Sequence, residues 1–597
     1  MLSFCYRIGT EPITINAVEH EEDLPAFRTF IRRNKTILGF DTETTGLKIY
    51  QPGFRVRLAQ FGNANEAWVI PLEHGGQMIG DVLGALRHID RLVMHNGTFD
   101  ILSLDQWSGD IRAEELFPKL LDSKITAHLV DSRSKKDGGH GHTLEELTKV
   151  YIDDRVATEV KGSMAHIAQR YRTTKEKAFS QVDLFDPELL LYAGMDPLLA
   201  YRLAHTTLRK IPHSARGLIG YEHQLAAICG YMQRTGYLTD RDYCMRESAA
   251  LAQQAAHWQN VARRCAGVEN VNSTDQVAAA LIARGHRLTH KTKTGKWQVN
   301  DNILKSCAPD PLAEAVINAK KYAKMKSTWF DNFILASEGD GRCHGSINSL
   351  GARTARMSIS GDVPAQTLPS KDPYVRNAFI ADEGHVTVAV DYAAQELRVA
   401  AALSGDRRMK QAFAEGADLH QITADAAGVD RAIGKMTNFL SAYGGGASAL
   451  MEQGGLDEPT AKHVITKFWQ AWPGLARYNR QLMDEARRRG RITTMTGRQI
   501  LVDKDRPYSA MNYKIQSSSR DVTGRALLRL HKEGFTPYAR LPVHDECVFS
   551  MPAEHAEYGA RRAAQIMREE IRGVVIDTEP TVAGRSWGSK YEKECAA

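Results

Sequence analysis

Cysteine is scarce: eight among 597 residues, at positions 5, 229, 244, 265, 307, 343, 547 and 595. None forms a CxxC pair or stands at zinc spacing from histidine, which excludes a disulfide-stapled scaffold and a cysteine-based zinc module. A reducing, cytoplasmic compartment is expected. Long apolar runs are missing too. The longest promising uncharged stretch, Met436–Met451, carries Thr, Asn, Ser and the triplet Gly444-Gly445-Gly446 and falls short of a membrane span. The opening MLSFCYRIGTEPITINAVEHEEDL has no basic segment followed by an apolar one, so no secretory signal is predicted. Low-complexity tracts and fixed-period repeats are absent, which excludes solenoids and disordered arms. Charge is nearly balanced, 77 Lys+Arg against 71 Asp+Glu, for a net +6 and a pI near 8.7. That excess permits a polyanionic partner without requiring one.

What is present is a globular composition, 43% apolar and 25% charged. At about 150 residues per domain the length predicts roughly four structural units. TILGFD (36–41) and RLVM (91–94) read as short buried strands separated by helical patterns, an α/β arrangement. The first domain closes on a helix that Asp186 caps and Pro187 begins, with a boundary near Ile211-Pro212. From Tyr221 to about Lys326 the pattern is helical, interrupted by a hairpin candidate, HRLTHKTKTGKWQVND. Glycine-rich loops follow from Arg342, then the strand-like HVTVAVD, helical sequence from about Gln395 to Arg489, and a late strand pair in YARLPVHDECVFSM. The last domain is therefore split, β elements flanking a helical insertion.

Two sets of acids carry chemistry. In GFDTETTG, Asp41 and Glu43 end a strand two residues apart, hence on one face. Asp100 follows in MHNGTFD, and Tyr192 and Asp196 are four apart on the closing helix. Carboxylates without a thiol favour Mg²⁺ or Mn²⁺, and two such ions suit phosphodiester cleavage. Singly, each acid has a plainer reading: a strand-end turn for Asp41, a cap beside a kink for Asp196 before Pro197. His140 and His142 are assigned to a mobile loop, since Thr143 and Glu146 form a capping box that starts the next helix. In order, DxE, HNxxFD and YxxxD resemble the proofreading 3′→5′ exonucleases of the DEDDy group. The resemblance implies that Asp41, Glu43, Asp100 and Asp196 hold metals and that Tyr192 orients the attacking water.

The second set is Asp391, ending HVTVAVD, and Asp545 with Glu546 in LPVHDECVF. Acids at the ends of buried strands could clamp two ions for in-line attack on a phosphate, although either motif alone could be a solvated turn. Between them RAIGKMTNFLSAYGGG sets Arg431, Lys435, Phe439 and Tyr443 at successive i+4 steps, one helical stripe of two cations and two aromatics. Such a stripe suits a triphosphate with a base beyond it; the plainer reading is an amphipathic helix with snorkelling cations. DYxxxEL, RxxxKxxNFxxxYG and VHDE, in that order, resemble motifs A, B and C of the family A (DNA polymerase I-like) DNA polymerases. The resemblance covers about residues 215–597, and with the exonuclease motifs nearly the whole chain.

That resemblance implies two Mg²⁺ ions at each site, Mn²⁺ able to substitute. Asp391, Asp545 and the Tyr392 carbonyl would bind the polymerase pair. Arg431, Lys435 and His420 would contact the triphosphate, Lys435 protonating pyrophosphate. Glu396 would act as a steric gate against a 2′-hydroxyl, with Phe439 and Tyr443 about the incoming sugar and base. Phe439, where some relatives have Tyr, implies poor use of dideoxynucleotides. Arg356, Gln366, Asn512, Gln516 and His544 would touch the minor-groove edge of primer-template DNA, where all correct pairs look alike. Lys320, Lys321, Lys324, Lys326, Asn272 and Ser273 would meet phosphates, though for the lysines a solvated face reads almost as well.

The implied architecture is multidomain α/β and α+β: a ribonuclease H-like exonuclease domain at 1–212, then a right-hand polymerase domain at 213–597. Within it the thumb spans about 221–340, the palm about 341–405 and 506–597, and the fingers about 406–505. Departures from the family pattern are the AAQ between Tyr392 and Glu396, TAR for TGR at 354–356, Ser370 in place of a cation, and Leu440 in place of a glycine. No 5′-nuclease domain and no long thumb insertion are expected. The function expected is a proofreading DNA polymerase of phage-like replication, monomeric, binding primer-template and deoxynucleoside triphosphates, with no membrane partner and accessory replication proteins unspecified. Two alternatives stand beside it: an exonuclease with a DNA-binding but polymerase-inactive C-terminal region, and a single-subunit RNA polymerase, against which Glu396 and the exonuclease motifs speak.

Overall fold

The computed structural model describes residues 1–292, 294–369 and 372–595, without the side chains of 161 and 593–595. Ser370, one of the departures above, lies outside the described residues. The N-terminal region is built on a seven-stranded mixed sheet. Its strands are β1 (Leu2–Ile8), β2 (Glu11–Ala17), β3 (Leu38–Thr44), β4 (Val56–Gly62), β5 (Glu66–Pro71), β6 (Leu92–Met94) and β7 (Leu120–Asp122), in the order β1-β2-β5-β4-β3-β6-β7. Strand β4 is buried along its whole length, as expected where both faces of a sheet are covered. One face packs a core containing Phe27, Phe61, Trp68 and Ile101, the other a core containing Ile15, Leu58, Val69 and Leu198.

Three helices serve the first site: α1 (Thr98–Ser108), α2 (Lys175–Gln181) and α3 (Pro187–Lys210). The expected cap of α3 is present, Asp186 accepting from the backbone N–H groups of Glu188 and Leu189 at 3.0 and 3.4 Å. Pro197 lies inside α3, which runs as one element from Pro187 to Lys210. Close packing holds that turn against the sheet, since a Cβ on Gly39 of β3 would come within 2.1 Å of the Pro197 carbonyl oxygen.

Beyond α3 the chain enters α4 (Leu218–Thr235), α5 (Arg241–Ala266) and α6 (Pro311–Met325), the last two packed along each other. The predicted hairpin between them forms, with Thr292 N–H donating to the Lys296 carbonyl at 2.7 Å and Gln298 N–H to His290 at 2.9 Å. The split last domain is observed. Strands β8 (His385–Tyr392), β9 (Ala539–Val543), β10 (Glu546–Pro552) and β11 (Thr578–Val582) form one antiparallel sheet in the order β9-β10-β8-β11. Helices α7 (Gln395–Ser404), α8 (Arg431–Ala442), α9 (Ser509–Lys532) and α10 (Ser589–Cys595) frame the second site.

The two regions are clipped together. Gln51 Nε2 donates to the carbonyls of Leu335 and Ala336, both at 2.8 Å, and Tyr50 stacks on His344 with ring centroids 3.6 Å apart. Here too backbones touch: a Cβ on Gly339 would lie 1.9 Å from the Tyr50 carbonyl oxygen. Deeper in, Arg520 of α9 forks onto Glu222 of α4 at 2.6 and 2.7 Å, Arg498 joins the same carboxylate, and Asp521 completes a cluster whose side chains are at most 1% exposed.

Candidate active sites

In the N-terminal region β3 delivers Asp41 and Glu43 toward α3, and one turn of α3 presents Asp196. One ligand oxygen from each of the three can be chosen so that all lie within 4.8 Å of one another, a donor set suited to a hard divalent cation. Asp100, at the start of α1, lines the same cavity of about 530 Å³ but stands outside that trio. Its Oδ1 accepts from the Thr42 N–H at 3.0 Å and the Thr42 hydroxyl at 2.7 Å. Burial pushes its pKa up to about 7 against those two hydrogen bonds. Tyr192 is buried beside the acids; burial first, then Asp196, Glu43 and Asp41, holds its phenol well above the ordinary value. Its ring meets Phe179 edge-on at 6.0 Å.

Lys175, Glu176 and Phe179 of α2 also line this cavity, and sequence reading missed them. No motif marks them, because only the fold brings α2 to β3. The mobile-loop reading of His142 is corrected: its Nε2 pairs with the Asp131 carbonyl at 2.8 Å, while its own carbonyl pairs with His95 Nε2 at 3.0 Å. The capping box of Thr143 and Glu146 is present as expected.

In the C-terminal region β8 and β10 pair so that Asp391 faces Glu546 in register, and the Tyr392 N–H donates to the Asp545 carbonyl at 3.2 Å. His544 and Asp545 make the two-residue turn between β9 and β10, with His544 at φ +59°. Asp391 is pushed up to about 7, by burial first and then by the negative charges of Asp545 and Glu546; burial also raises Asp545. Among the described residues, Asp391 Oδ1 is a buried acceptor with no hydrogen-bond partner. A buried, unsatisfied Asp391 oxygen beside Asp545 fits a cation. Tyr392 points its phenol away, to the Met567 carbonyl at 3.0 Å, which leaves only its backbone on the site side.

Helix α8 decides between the two readings of its stripe. Its buried residues are Gly434, Thr437, Asn438, Ser441 and Ala442, whereas Arg431 and Lys435 are exposed and Phe439 and Tyr443 half-buried. An amphipathic helix with snorkelling cations would bury the stripe; this helix buries the neighbouring small and polar residues. Asn438 explains the choice, bonding Thr423 at 2.7 Å, the Leu419 carbonyl at 3.1 Å and His420 Nδ1 at 2.9 Å. His420, lowered chiefly by burial, thus stands 5.7 Å from the Phe439 ring, and Phe439 stacks toward Tyr443 at 6.2 Å. Arg431 pairs with Asp418 at 2.6 Å. Leu440 faces the other way, into a small core with Leu450 and Val464.

A cavity of about 340 Å³ joins Phe439 and Tyr443 to Glu396, Arg356, His544 and Asp545. Within it Arg356 is ion-paired to Glu396. Burial and then Glu396 raise Tyr443, and burial followed by the Arg356 charge lowers His544. The TAR departure has a conformational consequence, placing Ala355 at φ +61°, a region glycine takes freely. Gln516 Oε1 accepts from Thr354 at 3.4 Å, and Asn512 Oδ1, one turn earlier on α9, is buried without a partner among the described residues. Gln366 differs from expectation: its amide is taken up by the Met357 carbonyl at 2.8 Å and the Ile359 N–H at 3.2 Å. Lys324 is exposed on α6, Lys326 pairs with Asp331 at 2.6 Å, and Asn272 is exposed beside Ser273, the cap of the helix Thr274–Ala283. Ser519 and Arg520 also line the cavity and were not foreseen.

An acid trio drawn from a mixed sheet and the helix packed on it, and a second set of acids at a strand end and the adjoining turn, are donor sets of the kind that two-site phosphoryl-transfer enzymes use. Residues 241–589 match DNA polymerase family A and residues 16–211 match the 3′-5′ exonuclease family, so the chain belongs to DNA polymerase family A with a 3′-5′ exonuclease region ahead of the polymerase region. It is 48% identical over 593 residues to the DNA polymerase of Mycobacterium phage L5 and 46% identical over 606 residues to that of Mycobacterium phage D29, covering 99% of both chains in each pair. The POL domain of Pol1 from M. smegmatis, solved in complex with DNA primer-template and dNTP, shares the fold at a TM-score of 0.73 and 20% identity, over 96% of this chain and 100% of that one. Among the described residues no helix is long and apolar enough to cross a membrane.

Proposed function

We propose that the chain extends a primer 3′ end on a DNA template with deoxynucleoside triphosphates at the Asp391/Asp545 site, and removes mispaired ends at the Asp41/Glu43/Asp100/Asp196 site. The setting is phage-like replication in a host cytoplasm, by a monomer. Residues 1–212 would be the exonuclease domain and 213–597 the polymerase, with thumb (about 221–340), palm (about 341–405 and 506–597) and fingers (about 406–505). The carrying observation is the exposed Arg431–Lys435 pair on α8 together with Asp391 near the end of β8 and Asp545 in the adjoining β9–β10 turn.

Two Mg²⁺ ions, or Mn²⁺, held at each site by these carboxylates and at the polymerase site also by the Tyr392 carbonyl, would supply charge neutralisation and Lewis acidity. The residues do the rest. Arg431, Lys435 and His420 grip the triphosphate, and Lys435 gives a proton to the departing pyrophosphate as the primer 3′-hydroxyl attacks the α-phosphate. Glu396, held by Arg356, fills the space a ribose 2′-hydroxyl needs, and Phe439 and Tyr443 flank the sugar and base. Arg356, Gln366, Asn512, Gln516 and His544 follow the minor groove, while Asn272, Lys324 and Lys326 meet phosphates, Gln366 and Lys326 after releasing their present partners. At the other site the Tyr192 hydroxyl orients the attacking water.

The test is a 3′-mismatched primer-template, incubated with and without nucleotides. Asp391→Ala should abolish extension and keep primer degradation; Asp41→Ala should do the reverse. Normal extension by Asp391→Ala would refute the assignment, and a wild-type chain that only degrades would establish the exonuclease-only reading.

A further inference from the structure

The polymerase site holds one acid more than the proposed reaction uses. Glu546 sits opposite Asp391 in the β8–β10 register, and its Oε2 receives Lys590 Nζ at 2.8 Å while its Oε1 is buried without a hydrogen-bond partner among the described residues; the two side chains are 11% and 14% exposed. Lys590 comes from α10, at the far end of the chain from the motifs, and its seat is firmly built. Trp587 is 1% exposed and its backbone N–H donates to the Phe379 carbonyl at 2.9 Å. The Arg376 guanidinium lies between the Trp587 and Tyr591 rings, 5.0 and 5.1 Å from their centroids, and Ser586 donates to Asn377 at 2.6 Å. A Cβ on Gly588 would fall 2.6 Å from the Pro373 carbonyl oxygen. The segment 586–591 is thus locked to 373–380, and a lysine is aimed at the acids from below.

We infer that Lys590 is a positioning residue that withholds Glu546 from the catalytic cations, so that Asp391 and Asp545 alone set their number and place. A third free carboxylate beside two others would bind a divalent ion more tightly and pull it off line, since affinity in all-oxygen sites follows the number of charged ligands. Lys590 cancels that charge and fixes its direction, as the partners behind metal ligands do elsewhere. The plainer reading, an ion pair that merely fastens α10, predicts a loss of stability and nothing else.

This rests on the polymerase reading above, and the experiment separates the two failures. Mn²⁺ binding is followed by electron paramagnetic resonance in an Asp41→Ala background, alongside single-turnover extension and thermal melting of the full chain. Lys590→Met should bind Mn²⁺ at least threefold more tightly and extend at least tenfold more slowly; Glu546→Gln added to it should restore the rate to within threefold, and Lys590→Arg should keep it. Glu546→Gln alone should extend within threefold of the parent, and if Lys590→Met does not fold, Lys590→Gln takes its place in the same binding and rate comparison. Unchanged Mn²⁺ affinity and rate in folded Lys590→Met, no rescue by the double change, or a tenfold loss in Glu546→Gln would each overturn the proposal. Extension by Asp391→Ala would instead sink the polymerase reading itself.

Discussion

Asp391 begins the residue scale because its environment makes a pH prediction. Its ordinary value of 3.8 is pushed up to about 7. Between those values the folded chain keeps a proton that the unfolded chain has released, so stability without metal falls as pH rises from about 4 to about 7 and stays low above. Asp391→Asn removes the penalty: metal-free chemical denaturation at pH 8 should show a gain on the order of 2–4 kcal/mol, shrinking to roughly a third at pH 5. Glu396 makes a second prediction. Glu396→Ala opens the cavity on its sugar side and releases Arg356, so discrimination against ribonucleotides should drop at least tenfold, measured by competing single-nucleotide incorporation. These residues were legible in the sequence because catalysis demands a fixed chemical type at a fixed spacing. Lys590, Arg520 and Lys175 were not, since each acts on neighbours that only the tertiary fold supplies, and no local pattern in the sequence sets them apart from ordinary solvated cations.

At the scale of the element, β3 and α3 form one device. Gly39 lies two residues before Asp41, and the helix carrying Asp196 rests on it so closely that a methyl group would meet the Pro197 carbonyl oxygen at 2.1 Å. Gly39→Ala must push α3 outward, so it should cost about 1–3 kcal/mol and reduce primer degradation at least tenfold while matched-primer extension holds. An exonuclease assay beside a melting curve checks both halves. The same contact seats the Pro197 turn of α3 against the sheet. Elements with strong caps or continuous apolar runs were readable: α3 from Asp186-Pro187, β8 from HVTVAVD, the β9–β10 pair from its flanks. Most strands of the seven-stranded sheet were not: β7 has only three residues, too few for periodicity to register, and β1 was passed over although LSFCYRI alternates as a half-buried strand does.

At the scale of the whole molecule, the cluster of Glu222, Arg498, Arg520 and Asp521 joins α4 to α9 and the strand pair near 491–501. Burial alone would raise Glu222, but the two guanidiniums hold its pKa down at about 2. Glu222→Gln leaves buried cations without their counter-charge and should cost about 3–5 kcal/mol in urea unfolding, with both activities lost at the same denaturant concentration. Domain order was visible from the motifs alone, whereas the mutual placement of the regions depends on pairs hundreds of residues apart, such as Gln51 with Ala336. Those clips have a kinetic meaning. With Tyr50 stacked on His344 and Gly339 pressed to its backbone, the two regions are tied at this seam. On the proposed reading the DNA end would then do the moving between synthesis and removal, and an end that frays would cross more readily than one that stays paired.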